Sequence, residues 1–168
     1  MVRSPTLSGM DHTIQDLAYC AGVIDSDGTI GVKMSTYAMR HGNGGQPNYS
    51  ERICVKQVEP QAVDLLTSLF GGSRYISKPS AKKGRALFSW QVTDQQAASA
   101  LRAILPFLRI KRPQAENCLR LREIKEESKR VRVSLGRGHV GSARRTQEHG
   151  DAMAETARVA RLLNRVGV

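Results

Sequence analysis

The sequence predicts an α+β protein ordered helix, strand, strand, helix, strand, strand, helix. The expected architecture is a twisted antiparallel sheet, a saddle packed on helices, followed by C-terminal helices. Three observations lead there. Apolar and polar residues alternate with period two in pairs of short segments, at 29–35 with 49–58 and at 74–78 with 85–92. Apolar residues at helical spacing precede each pair and follow the second. The chain has 168 residues, a length that suits one domain, and 40% of them are hydrophobic, which suffices for a core. The expectation is one domain over residues 1–168, with a core at about 11–130 and a basic helical tail at about 131–168.

Each element has a local reason. Thr13 followed by Asp16 starts a helix, since a hydroxyl can satisfy free N–H groups and an acid favours the positive helix end. Ile14, Leu17, Ala18, Ala21 and Ile24 give it an apolar stripe, and Asp25-Ser26-Asp27-Gly28 ends it. In the first strand Ile30, Val32 and Met34 oppose Thr29, Gly31, Lys33 and Ser35. After a Gly- and Asn-rich loop, Ile53 and Val55 oppose Arg52, Cys54 and Lys56, so the two strands form a hairpin. Pro60 suits the first position of a helix striped by Ala62, Val63, Leu65, Leu66 and Leu69 and stopped by Gly71-Gly72. The third and fourth strands are joined by the basic stretch 79–84, and Phe88, Trp90 and Val92 share a face opposite Leu87, Ser89 and Gln91. Thr93 or Asp94 caps a helix to Leu105, residues 106–109 turn, and 113–130 form a charged helix. Residues 136–150 read as a basic loop and 151–166 as a last amphipathic helix.

The charge narrows the partner. Lys and Arg number 26 against 15 Asp and Glu, a formal net charge of +11, which points to a polyanion. No apolar run approaches the roughly 20 residues of a membrane span, and the first residues lack the apolar block of a signal peptide. An intracellular protein, in the cytoplasm, nucleoid or an organelle matrix, is expected. Three scattered cysteines with no C-x-x-C pair argue against a zinc ribbon or a disulfide scaffold. Cys20 and Cys118 are expected to pack as small apolar residues. His12, His41, His139 and His149 show no pairing spacing, so a histidine-based nuclease or zinc site is not expected.

Residues 20–28 read Cys-Ala-Gly-Val-Ile-Asp-Ser-Asp-Gly, ending an apolar helix just before a strand. They resemble the LAGLIDADG motif of homing endonucleases, with Ala21, Gly22, Ile24, Asp25, Asp27 and Gly28 matching. Cys20, Val23 and Ser26 depart from it conservatively. The resemblance extends over most of residues 14–125 and is nearest to small, single-motif, homodimeric members. It implies the LAGLIDADG homing-endonuclease fold. It implies that Gln57, ending the second strand, positions solvent near a metal. It also implies that Lys111, after Leu105-Pro106-Phe107-Leu108 and before Gln114-Ala115, assists the reaction. Asp27, with Ser26 beside it, is the candidate metal site.

The residues themselves supply a reading beside the name. Ala18, Gly22 and Ser26, spaced by four, form a small-residue face that lets another helix approach and is the candidate dimer interface. Two such helices about a two-fold axis bring two Asp27 carboxylates together. Carboxylate and water oxygens are what Mg²⁺ prefers, with Mn²⁺ or Ca²⁺ able to take its place. Such metals activate water and steady the leaving oxygen of a phosphodiester. Asp25 reads instead as structural, an acid in a turn before glycine. By itself, Lys111 is either a charge for the transition state or an ordinary phosphate contact, and Gln57 could equally cap a turn.

The expected partner is double-stranded DNA with a pseudo-palindromic site, because only one motif is present and two chains are needed to pair the acids. A strand ribbon fits the major groove, where base edges are distinguishable. The candidate DNA-binding residues are Lys33, Ser35, Tyr37, Arg40, Ser50, Arg52, Cys54, Lys56, Arg74, Ser77, Lys78, Arg85, Ser89 and Gln91. Lys82, Lys83, Arg144 and Arg145 read as phosphate contacts. The leading expectation is a Mg²⁺-dependent, site-specific double-strand DNA endonuclease, and the resemblance implies staggered cuts with 3′ overhangs and a role in the mobility of introns or similar elements. The alternative is a non-cleaving LAGLIDADG regulator or an RNA-splicing maturase, and only the latter brings RNA as a partner.

Overall fold

The computed structural model describes residues 13–36, 46–77, 84–134 and 143–166. The first helix, α1 (Ile14–Asp27), opens with a capping box: the Asp16 amide donates to Thr13 Oγ1 at 3.1 Å and the Thr13 amide to Asp16 Oδ2 at 3.4 Å. It runs directly into β1 (Gly28–Ser35). Gly28 has φ −85°, open to any residue, so backbone freedom is not its contribution. A Cβ there would sit 2.7 Å from the Ile24 carbonyl oxygen, and only glycine lets the strand leave the helix this sharply.

β2 (Asn48–Gln57) is followed by α2 (Gln61–Phe70), β3 (Ser73–Ser77) and β4 (Leu87–Thr93). The four strands form one antiparallel sheet in the order β1-β2-β4-β3. Ile30, Ile53, Val55, Trp90 and Val92 project from one face onto Cys20, Val23 and Ile24 of α1 and Val63 and Leu66 of α2. Leu101 and Ile104 of α3 (Asp94–Ile104) complete that core. Each large side chain so buried contributes about 1.5–3 kcal/mol. Trp90 also satisfies its indole N–H, which donates to the Gly71 carbonyl at 2.7 Å. Its neighbour Gly72 has φ +90°, and a Cβ there would meet the Gln91 carbonyl at 2.6 Å.

A 3₁₀ turn (Leu105–Phe107) leads to α4 (Arg112–Arg130). Beyond it, β5 (Arg132–Ser134) pairs with β6 (Ala143–Arg145), and α5 (Gln147–Val166) closes the chain's described part. The hairpin was not legible as alternation, because its strands have three residues each. Helix α5 also begins earlier than its apolar stripe suggests, with the polar turn at Gln147. A second apolar cluster of Tyr49, Leu121, Met153 and Ala157 fastens α5 to α4 and β2. No helix among the described residues is long and apolar enough to cross a membrane.

Two features depart from the sequence pattern. Ile14 and Ala18 lie outside the core: Ile14 is 72% exposed, and α1 buries Cys20, Ala21, Val23 and Ile24 instead. Glu51 and Arg122 are buried charges. Arg122 bonds Glu51 at 2.7 Å and also Asp94, and Lys125 bridges the same two acids. This network ties β2 to the start of α3 and to α4.

Candidate functional site

Asp27 is the last residue of α1 and its side chain is exposed. Gln57, the last residue of β2, donates from Nε2 to Asp27 Oδ2 at 2.9 Å. The register explains the meeting: Gly28 lies opposite Val55, so the start of β1 and the end of β2 share one edge of the sheet. Asp27 and Gln57 line an open depression with Lys56, Val58, Glu59 and Leu87. Glu59 is a second carboxylate there that sequence reasoning missed; its only signal is its position two residues past Gln57.

Asp25 and Lys111 build the site's support. The Asp25 carboxylate accepts backbone N–H bonds from Arg109 at 2.7 Å, Ile110 at 3.2 Å and Lys111 at 2.8 Å. These donors stand at the entry to α4, where helical partners are lacking and negative charge is favoured. The Lys111 ammonium turns back onto the end of α1 and donates to the carbonyls of Ile24 at 2.9 Å, Asp25, and Ser26 at 3.4 Å. An acid at a helix C-terminus is unfavourable by about 0.3–1 kcal/mol. The Lys111 charge, set among the same carbonyls, offsets that cost for Asp27. Burial pulls the Lys111 pKa below its ordinary value, opposed by the charges of Asp25 and Asp27. Ser26 is exposed and its hydroxyl donates to the Val23 carbonyl at 3.1 Å.

On the sheet face away from the core, β1 presents Thr29, Gly31, Lys33 and Ser35, and β2 presents Ser50, Arg52, Cys54 and Lys56. Arg52 Nε donates to Gln91 Oε1 at 3.0 Å, so two of the candidates hold each other across the strands. Arg85 is exposed just before β4. Ser77 and Ser89 share a hydrogen bond between their hydroxyls, and Ser89 is fully buried, closed off from a ligand.

Arg74 corrects the expected face. It pairs with Trp90, a core-facing residue, and so projects toward the helices. Its guanidinium bonds Asp64 of α2 at 2.5 Å and lies 5.3 Å from the centre of the Phe88 ring. A shift of one residue in a strand exchanges its faces. The outward place belongs to Tyr75, opposite Ser89 and 42% exposed. Arg145 packs against α5 and β2, donating to Met153 Sδ at 2.9 Å and Asn48 Oδ1 at 3.1 Å. Tyr37, Arg40, Lys78, Lys82, Lys83 and the Arg144 side chain lie outside the described residues.

Ala18, Gly22 and Ser26 are all exposed on α1, beside Ile14 and Tyr19. A Cβ on Gly22 would meet no atom within 4 Å. Cys20 and Cys118 are buried, which pushes both thiols up to about 12, while Cys54 lies half-buried on the outward face. Among the described residues no group of three or more His, Cys, Asp or Glu could hold a metal ion.

No protein-family model matches the chain, and no curated protein does. Solved structures do. The homing endonuclease I-CvuI, in complex with its target in the presence of Ca, has a TM-score of 0.63 at 20% identity, over 90% of this chain and 85% of that one. The homing endonuclease I-TnaI has a TM-score of 0.58 at 16% identity, over 93% of this chain and 96% of that one. The I-SmaMI LAGLIDADG homing endonuclease, bound to cleaved DNA, has a TM-score of 0.52 at 17% identity, over 88% of this chain and 44% of that one. The α+β fold described above is therefore that of the LAGLIDADG homing endonucleases.

Proposed function

We propose that this chain is a LAGLIDADG homing endonuclease: a site-specific enzyme that hydrolyses both strands of DNA at a pseudo-palindromic target and leaves 3′ overhangs. The single observation that carries the reading is the Asp27–Gln57 pair. An exposed carboxylate at the end of a helix, held by an amide from the neighbouring strand, adjoins a sheet face studded with Lys33, Arg52 and Lys56.

The donor chemistry fits a divalent cation. Mg²⁺ takes hard oxygen ligands, keeps several waters, and is usually held by one or two carboxylates together with substrate phosphates. Asp27 and Glu59 line the same depression, and carboxylates are the ligand class such an ion takes. Asp27 would hold the ion, with Ser26 beside it. When bound, the ion lowers the pKa of its water and stabilises charge on the leaving oxygen of the phosphodiester. The chain's own residues do the rest. Gln57 orients the Asp27 carboxylate and leaves its amide oxygen to align solvent. Lys111 keeps positive charge at the helix end facing the reacting phosphate. The outward residues of β1 and β2, with Gln91 of β4, read the major groove.

Two copies of the chain form the enzyme. The support is the exposed face of α1, where Gly22 has no neighbour to explain it. A glycine inside a helix costs about 0.5–1 kcal/mol relative to alanine. Small residues at a helix contact set how closely two axes approach.

The test is cleavage of a plasmid library of randomised or genomic inserts, with Mg²⁺ and with EDTA. Metal-dependent linearisation of a subset of inserts is the expected result. Binding to duplex DNA without cutting under any divalent metal would select the regulator. Preferential binding to a structured intron RNA would select the maturase.

A further inference from the structure

Helix α5 lies along β1, the edge strand of the sheet, and its last turns reach the outward face. Asn164 Nδ2 donates to the Ile30 carbonyl at 3.0 Å, satisfying a backbone acceptor that an edge strand leaves open. Gly31 makes room for that approach, since a Cβ there would sit 3.2 Å from Asn164 Nδ2. Between helix and sheet runs a groove. One wall is Ala160, Arg161 and Asn164; the floor and other wall include Lys33, Arg52 and Cys54. These last three belong to the face proposed above to meet DNA.

We propose that this groove seats the sugar-phosphate backbone of duplex DNA, with α5 as a lateral rail beside the base-reading sheet. Arg158, Arg161 and Arg165 fall on one stripe of α5 by their spacing. Arg158 is tied to Glu155, whereas Arg161 and Arg165 have no ion pair among the described residues. Arg161 bonds only weakly to the Ala157 carbonyl, at 3.3 Å, and is exposed. A guanidinium presents several donors in a plane and suits phosphate oxygens. With Lys33 and Arg52 opposite, the groove is cationic on both sides. Backbone contacts of this kind set affinity and register and carry no sequence information. The inference rests on the DNA-binding part of the proposed function and assigns a role to the C-terminal helix.

The test is binding of the full chain to two unrelated 30-bp duplexes of random sequence, by fluorescence anisotropy across a salt series. Removing one cation that neutralises a phosphate lowers the slope of log K against log salt by about 0.9. The variant Arg161→Gln, which keeps the stem and the helix, should lower the slope by about one. Arg161→Gln with Arg165→Gln should lower it by about two, equally on both duplexes. Arg161→Lys should restore most of the slope, and Arg102→Gln, the same charge change on α3, should leave it unaltered. Wild-type slope and affinity in the double variant, with wild type binding duplex normally, would overturn the rail and leave the DNA reading intact. An equal loss in Arg102→Gln would reduce the effect to net charge and overturn it as well. If wild type shows no salt-dependent binding to either duplex, the DNA-binding reading itself fails and takes the rail with it.

Discussion

Asp25 and Lys111 hold each other twice. The Asp25 carboxylate accepts the Lys111 backbone N–H at 2.8 Å, and the Lys111 ammonium donates to the Asp25 backbone carbonyl. Side chain meets backbone in both directions, so the end of α1 and the start of α4 are locked at one distance. Asp27 stands two residues beyond Asp25, and its position follows from that lock.

Asp25→Ala should therefore act on stability. It removes the acceptor for three N–H groups at a helix start, a loss comparable to that of an N-cap, about 1–2 kcal/mol. A urea melt followed by circular dichroism should show a lower midpoint at unchanged slope. An unchanged midpoint would mean that water replaces the carboxylate without cost.

Asp27→Asn should act on chemistry. The amide keeps the size and the bond with Gln57 but not the charge, so duplex binding and the melting midpoint should persist while cleavage is lost. Gln57→Ala removes a group that orients a proposed metal ligand, and such losses cost about 10–100-fold in metal affinity or rate. Plasmid linearisation over time measures both. Wild-type cutting by Asp27→Asn would remove Asp27 from the site.

Gly22→Leu tests the pairing of chains. The space around Gly22 is open, so the variant should keep its helix content and gain helix propensity within the protomer. Bulk on that face should keep two α1 helices apart. Light scattering after size-exclusion chromatography should show monomers for the variant and dimers for wild type, with cleavage abolished. A variant that remains dimeric would place the interface elsewhere.

Arg122→Ala should be among the most damaging substitutions outside the core. It leaves Glu51, which has no exposure, with only Lys125 at 3.2 Å. Breaking a buried pair from one side costs about 3–5 kcal/mol. Replacing Glu51 and Arg122 together by Met and Leu should cost far less, a difference that a double-mutant cycle in urea measures directly.

Acid should weaken the fold partly through Asp94. Burial pushes its carboxyl up, but hydrogen bonds and charges from Lys125 and Arg122 outweigh this and hold it below the ordinary carboxylate value. A depressed folded pKa contributes stability above the unfolded value, about 3.9, and that stability is lost as pH falls through the folded value. Melting temperatures between pH 6 and pH 3 should fall, and Asp94→Asn should flatten the decline. An equally steep decline in the variant would assign it to other acids.

Much was legible in the chain alone. The alternation of Ile30 with Gly31 and Lys33, and of Ile53 and Val55 with Arg52 and Cys54, determined two strands and their faces, because a strand has period two and one side must be dry. Thr13 with Asp16 determined where α1 starts, and the motif at 20–28 determined where it ends. Asp25 could be read as structural, although its three amide partners lie more than 80 residues away and appear only in the fold.

What the chain alone left open is what depends on neighbours distant in sequence. Arg74 and Tyr75 stand next to each other in a strand of five residues with weak alternation, and only pairing with Trp90 and Ser89 decides which faces the helices. Glu51 is an acid in a strand until Arg122 and Lys125, on a helix some 70 residues later, make its burial tolerable. Lys111 has the same identity wherever it points, and only the end of α1 turns its ammonium into a helix cap. Local pattern determines which residues form helix or strand, because dihedral preference and burial period are local. Register, charge pairing and the seating of α5 on β1 were decided by tertiary structure, because they are energies between surfaces that meet only once the chain has folded.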